Sequence, residues 1–229
     1  MIVRTLVCAL ALATPSFSVA LADDPTSIEL YESALQSVRV EAQAEPPAFC
    51  GYVLDAGDEL GRYRFDQLAP DAARWRDGDD ELADLEETGL PVNGLPLAAV
   101  RPDMFDSTVP VQHLRDDGNI AVYGIRVAEF EMSGMGQTVN IAEHLQGEAG
   151  VDRETGRFTF VRFYAPEEFK PSPIARFRTF DFRVDVASAW EGGPLVRSRT
   201  VSDIVVSAMF QTHDLGSTRD FSEFVPCAG

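Results

Sequence analysis

Three histidines, three cysteines and 37 acidic side chains are the groups through which this chain could carry out covalent, acid–base or metal chemistry. His113, His144 and His213 are far apart, and none forms the H-E-x-x-H spacing that sets two imidazoles on one helix face for zinc; Glu143 and His144 are merely adjacent. A hydrolase nucleophile in the G-x-S-x-G setting is missing, and the carboxylates are so numerous that no glycosidase pair stands out. Ser133-Gly134-Met135-Gly136 lacks the third glycine and preceding buried strand of a dinucleotide fingerprint, and has no Lys-Ser/Thr step for phosphate. It reads as a flexible turn. Asp77-Gly78-Asp79-Asp80-Glu81 has the composition of a calcium loop without its alternating ligands or its glutamate at the twelfth position, and reads as an acidic turn capping a helix from about Asp80 to Glu87. The expectation is a non-enzymatic protein with no catalytic residues, no metal and no cofactor.

The cysteines point to location rather than reactivity. Met1-Ile2-Val3-Arg4 carries one positive charge, and an uncharged, mostly apolar run from Thr5 closes on Ala20-Leu21-Ala22 before Asp23. Charge, apolar stretch and small residues in that order form a cleavable signal peptide over 1–22, with a mature chain over 23–229 in the periplasm or outside the cell. Cys8 falls inside the apolar run behind Val7, where lipid attachment would require a small residue. Cys50 and Cys227 are left for an oxidising compartment, and an even count placed near the two ends favours one disulfide, clamping the last strand against the first.

The charge balance is 19 basic against 37 acidic residues, net −18. Such a surface repels phosphate backbones, which argues against nucleic acid as a partner. No mature segment approaches the roughly 18 consecutive apolar residues of a membrane-spanning helix.

The elements that would position any site are mostly strands. Thr26 to Ala44 has neither Gly nor Pro, and Ile28, Tyr31, Leu35 and Val38 recur at helical spacing, so the mature chain opens with an amphipathic helix ended by Pro46-Pro47. Phe49–Leu54 and Arg62–Leu68 form a first hairpin around Asp55-Ala56-Gly57-Asp58, and Gly89 to Pro102 reads as a surface loop. Val109–Leu114 and Ile120–Val127 flank an Asp-Gly step, the clearest hairpin signal in the chain. A short helix over Ala142–Gln146 precedes the pair Glu148–Asp152 and Phe158–Tyr164. From Phe180 to Val186 apolar and charged residues alternate, the mark of a strand with one buried and one wet face. After Glu191-Gly192-Gly193-Pro194 a long strand runs from Leu195 to Thr212 with Ile204, Val206, Ala208 and Phe210 on one face, and Arg219–Val225 closes the chain. On the strand Phe158–Tyr164, Phe158 and Phe160 are expected on one face and Phe163 on the other.

These parts define an α+β fold: one domain over 23–229 with a curved antiparallel β-sheet, an N-terminal helix and short inserted helices covering one face. Their order resembles the periplasmic lipoprotein-carrier (LolA-like) superfamily and its uncharacterised relatives, in the signal peptide, the leading helix, the meandering strands, the segment Phe169-Lys170-Pro171-Ser172-Pro173-Ile174-Ala175 before the strand with Phe180 and Phe182, and the closing strand. The resemblance implies an unclosed barrel with helices as a lid over an apolar cavity, binding or carrying a hydrophobic small molecule or acyl chain. Phe158, Phe160, Phe180, Phe182, Ile204, Val206 and Phe210 are the candidate ligand-facing residues. Arg62, Arg64 and Arg126 all sit on plausible strands for a ligand-holding arginine, and their sequence contexts do not choose among them. The alternative is a structural or regulatory module of the envelope that engages a partner protein through a sheet edge or its acidic face.

Overall fold

A computed structural model describes residues 27–43, 49–57, 61–78, 81–88, 90–95, 97–98, 100–134, 137–208 and 211–227. The signal-peptide reading, the Pro46-Pro47 stop and Phe210 lie outside the described residues. Helix α1 (Ser27–Gln43) forms where periodicity places it. Leu30, Tyr31, Ala34, Leu35 and Val38 are buried along one stripe. The Tyr31 ring meets Tyr123 at 5.3 Å and stands edge-on to Phe158 at 5.8 Å, which fixes the helix on the sheet. No helix among the described residues is long and apolar enough to cross a membrane.

Strands β1 (Phe49–Asp55), β2 (Arg62–Asp66), β3 (Trp75–Asp77) and β4 (Glu81–Leu82) come first, followed by the single-turn helix α2 (Leu85–Thr88). Then come β5 (Gln112–Asp117), β6 (Ile120–Ile125), the small hairpin β7 (Glu131–Gly134) and β8 (Gln137–Asn140), β9 (Gln146–Asp152) and β10 (Phe158–Tyr164). The chain ends with β11 (Phe169–Ser172), β12 (Ala175–Ser188), β13 (Leu195–Ala208), β14 (Gln211–Asp214) and β15 (Ser217–Pro226). Apart from β7 and β8, all belong to one antiparallel sheet of order β4-β3-β2-β1-β15-β13-β12-β10-β9-β6-β5, with β11 on β12 and β14 on β13. The sheet is unclosed, its ends being β4 and β5.

The last strand therefore inserts between the first strand and β13. Phe49 and Pro226 are register partners, and next to them Cys50 and Cys227 are joined by a disulfide with Cα atoms 4.8 Å apart. Gly118 (φ +64) and Gly156 (φ +65) occupy the left-handed positions of two hairpin turns, where L side chains are strained.

Several elements differ from expectation. The helix expected over 80–87 is reduced to α2, capped by Asp84, whose Oδ1 accepts from the amides of Glu86 and Glu87, because the residues before it are drawn into β4. The strand expected to run from Leu195 to Thr212 folds back on itself: Ala208 pairs with Gln211 and Val205 with Asp214. A bulge in β10 corrects the facing of its phenylalanines. Phe158 pairs with Val151 and Phe160 with Gly150, so one extra residue shifts the alternation and sends Phe158, Val161 and Phe163 together into the core. Phe160 turns to the opposite face, where the Arg183 guanidinium lies 4.1 Å from its ring centroid.

Two apolar clusters result. The larger gathers α1, β6, β9, β10, β12 and Ile204; the smaller gathers Tyr52, Leu54, Tyr63, Phe65, Trp75, Leu97, Val196 and Phe221. In β12, Phe180, Val184 and Val186 are buried in the larger cluster and Phe182 packs against it, as the alternating pattern requires.

Two outcomes follow for stability. A Cβ at Gly150 would stand 2.3 Å from the Phe160 ring, so Gly150→Ala should cost about 1–3 kcal/mol by overpacking, measured as a lower denaturation midpoint. Non-reducing peptide mapping should recover the Cys50 and Cys227 peptides joined, and Cys227→Ser should destabilise by about 2–5 kcal/mol; two free thiols in protein from an oxidising compartment would contradict the pairing.

Candidate functional site

A cavity of about 730 Å³ opens where the two apolar clusters meet. One wall is the end of α1, with Val38, Glu41 and Ala42; a second is Phe49, Tyr52 and Phe65 of the first hairpin; a third is Leu195 and Val196 at the start of β13. The segment from Asn93 to Asp103 closes the fourth side. That segment was expected as a surface loop. Instead Leu97 and Val100 are buried, and Ala98 forms an isolated bridge with Val196.

Hydrogen bonds fasten this wall to the sheet. Trp75 Nε1 donates to the Pro91 carbonyl at 2.8 Å, Arg74 Nη1 to Asn93 Oδ1 at 2.9 Å, and the Arg197 amide to the Leu97 carbonyl at 2.9 Å. The Leu95 amide donates to the Tyr52 hydroxyl at 2.6 Å. Gly94 sits at φ +79, and a Cβ there would stand 2.9 Å from Phe65 Cζ and 3.1 Å from the Tyr52 hydroxyl, so both backbone and space call for glycine. Burial pushes the Tyr52 phenol up to about 12, against the smaller lowering effect of the Leu95 amide. The phenol is therefore neutral at ordinary pH and acts as an anchor rather than a base.

The helix end is held by charge. Arg157 Nη2 lies 2.9 Å from Glu41 Oε1 and 3.2 Å from the Gly193 carbonyl, while Arg157 Nη1 donates to Ser188 at 2.7 Å. Glu41 thus joins α1 to the β12–β13 turn. At the cavity rim Arg101 and Asp103 form an exposed pair at 3.5 Å. Apolar walls with a thin polar rim suit an apolar or amphiphilic molecule.

The candidate ligand-facing residues stand elsewhere. Phe158, Phe180 and Ile204 are buried in the larger cluster, Phe182 and Val206 pack against it, and Phe160 is on the other face. None of these six lines the cavity. Of the three arginines considered, Arg62 and Arg64 share Glu223 at 2.7 and 3.3 Å, and Arg126 is exposed beside Phe105 and Asp106, away from this cavity. The cavity residues were marked in the sequence only by Leu95, Leu97 and Val100 in a Gly- and Pro-rich stretch, apolar content that an exposed loop does not require.

The opposite face of the sheet is a lattice of ion pairs. Arg115 holds the buried Glu148 through two bonds of 3.0 Å, Arg162 Nε donates to Asp181 at 2.8 Å, and Arg183 Nε to Asp185 at 2.7 Å. Arg162 and Arg183 are register partners, so each needs its own carboxylate against the other's charge. These carboxylates are occupied and offer no free acid–base pair. The histidines are dispersed: His113 contacts Asp116 at 2.9 Å, His144 stacks on Phe169 at 4.5 Å, and His213 lies exposed on β14. Hydrogen bonds from Arg153 and then His113 hold the Asp116 carboxyl below its ordinary range.

Compared with family models, curated proteins and solved structures, the chain matches none.

Tyr52→Phe removes the acceptor of the Leu95 amide and should cost about 1–3 kcal/mol, with faster hydrogen exchange at Leu95; unchanged exchange there would show that the wall does not depend on this bond.

Proposed function

We propose that this chain is an exported, periplasmic, non-enzymatic protein that binds or carries a hydrophobic, lipid-like ligand. The cavity of about 730 Å³ beside α1 carries this reading, since small-molecule sites occupy about 300–1,000 Å³ and are mostly apolar. Helix α1 and the segment 93–103 serve as a lid on one face of the unclosed sheet, the arrangement that the resemblance to lipoprotein carriers implies. An acyl chain would lie against Val38, Phe65, Leu97 and Leu195, with its polar end toward the Arg101–Asp103 rim. The disulfide and the leader-like residues 1–22 support export. Docking of a partner strand has less support: the exposed edge β5 is interrupted by a bulge between His113 and Arg115 and carries Asp116 and Asp117, features that discourage edge pairing.

Native mass spectrometry of gently purified protein should show copurified lipid, and a fluorescent fatty-acid analogue should bind in a one-to-one ratio. Ala98→Trp and Ala42→Trp replace exposed lining residues, so the fold should hold while probe affinity falls by roughly tenfold or more, a loss of about 1.4 kcal/mol. If no lipid copurifies and no probe enters the folded protein, the reading fails.

A further inference from the structure

Arg197 is a half-buried cation that the cavity does not use. It sits at the start of β13, and its guanidinium carbon is 6.0 Å from the centroid of the Phe221 ring on β15. Its Nε is buried without a hydrogen-bond partner, and so is the hydroxyl of Thr200 three residues along the same strand. Thr200 and Arg219 are register partners and project from the same face. Arg219 and Phe221 are two positions apart on β15 and share that face. A bulge in β13, where Val186 pairs with Arg197 but Asp185 with Arg199, turns Arg197 away from the face of Arg199, so Arg197, Thr200 and Arg219 share one face at one end of the β13–β15 pair.

Neither arginine has an acidic partner among the described residues. Asp220 stands between Arg219 and Phe221 in sequence but belongs to the opposite face, where it lies 3.6 Å from Arg199. In a chain with 37 acidic against 19 basic residues, carboxylates are plentiful, and most of the arginines on the neighbouring strands have one. A half-buried guanidinium beside a second cation is unfavourable by itself: burial lowers the pKa of Arg197, and the like charge of Arg219 lowers it further. An unpaired buried donor and an unpaired buried hydroxyl add to that cost. All of these groups would be satisfied by one species, an anion with several acceptor oxygens.

We propose that Arg197, Thr200 and Arg219 form a binding site for a small oxyanion, a carboxylate or phosphate group. The planar guanidinium of Arg197 supplies a fork of donors, Thr200 a hydroxyl, and Arg219 a second charge from the facing strand. Phe221 forms an apolar side wall. Because the surface as a whole is acidic, the site gains nothing from long-range steering and selects by short-range hydrogen bonds. The inference is independent of the cavity, which Arg197 does not line.

The test is NMR of arginine-labelled, disulfide-intact protein, following the Arg197 Nε–Hε signal during titration with sodium phosphate, sodium acetate and, below its micelle concentration, dodecyl phosphate. Sodium chloride at matched ionic strength is the reference. A saturable shift is expected with at least one of the three oxyanions and not with chloride, and at roughly five times the Kd the Tm should rise by about 2–4 °C. Response to the free ions identifies a soluble anion, whereas response to dodecyl phosphate alone identifies the head group of an amphiphile. Arg197→Met should abolish the Tm response without lowering the Tm of the unliganded protein, because it removes a desolvated charge. Arg219→Gln should weaken binding by roughly tenfold, or about 1.4 kcal/mol, and Arg199→Gln on the other face should leave it intact. The proposal is overturned if the Arg197 signal ignores all three anions, if chloride acts equally, or if the phosphate response survives in Arg197→Met.

Discussion

The sheet depends on one seam. Strand β15 pairs with β13 through residues 217–220 and with β1 through residues 220–226, and no other strand stands between the first hairpin and the remainder. Asp220 is the register partner of Asp55 on one side and Arg199 on the other, so it marks the point at which β15 passes from one neighbour to the other. The disulfide closes the far end of that seam, where terminal residues would otherwise fray.

This crossover explains why a cavity exists where it does. Once β15 has turned toward β1, the first residues of β13 have lost their strand neighbour on that side. Their exposed edge is taken up by Leu97 and Ala98, through the Arg197 amide and the Ala98–Val196 bridge. A loop cannot fill space as a strand does, because it must satisfy its own backbone and follow its turns. Gly94 and the Tyr52–Leu95 bond set its course, and the space between it and α1 stays open. The same divergence leaves Arg197 at the end of the β13–β15 pairing, facing Phe221 and without a carboxylate among the described residues.

Local signals made the regular parts legible. The Asp-Gly hairpin, the alternation from Phe180 to Val186 and the helix from Ser27 to Gln43 each follow from a short stretch whose preference agrees with its surroundings. The disulfide was legible because, apart from Cys8 in the leader-like run, the sequence holds only Cys50 and Cys227. Bulges were not: the displacement of Phe160 is set by Gly150 on the neighbouring strand, which leaves room for its ring and has no mark within Phe158–Tyr164 itself. The fold-back after Ala208 was hidden for a related reason, since Val205 to Thr212 reads as one continuous strand and its partner is its own continuation. The cavity was the least legible part, because it is made by a loop lying against strands distant in sequence.

The position of β15 also governs when the fold can be completed. Strand β1 precedes every other described strand in the chain, yet the neighbour it needs is β15, and the cysteines beside that pairing are 177 residues apart. Until β15 is available, β1 to β4 can form only a small sheet with one side of β1 unpaired. Closing so long a loop delays the reward of the final contacts and makes assembly slow relative to chains dominated by local pairing.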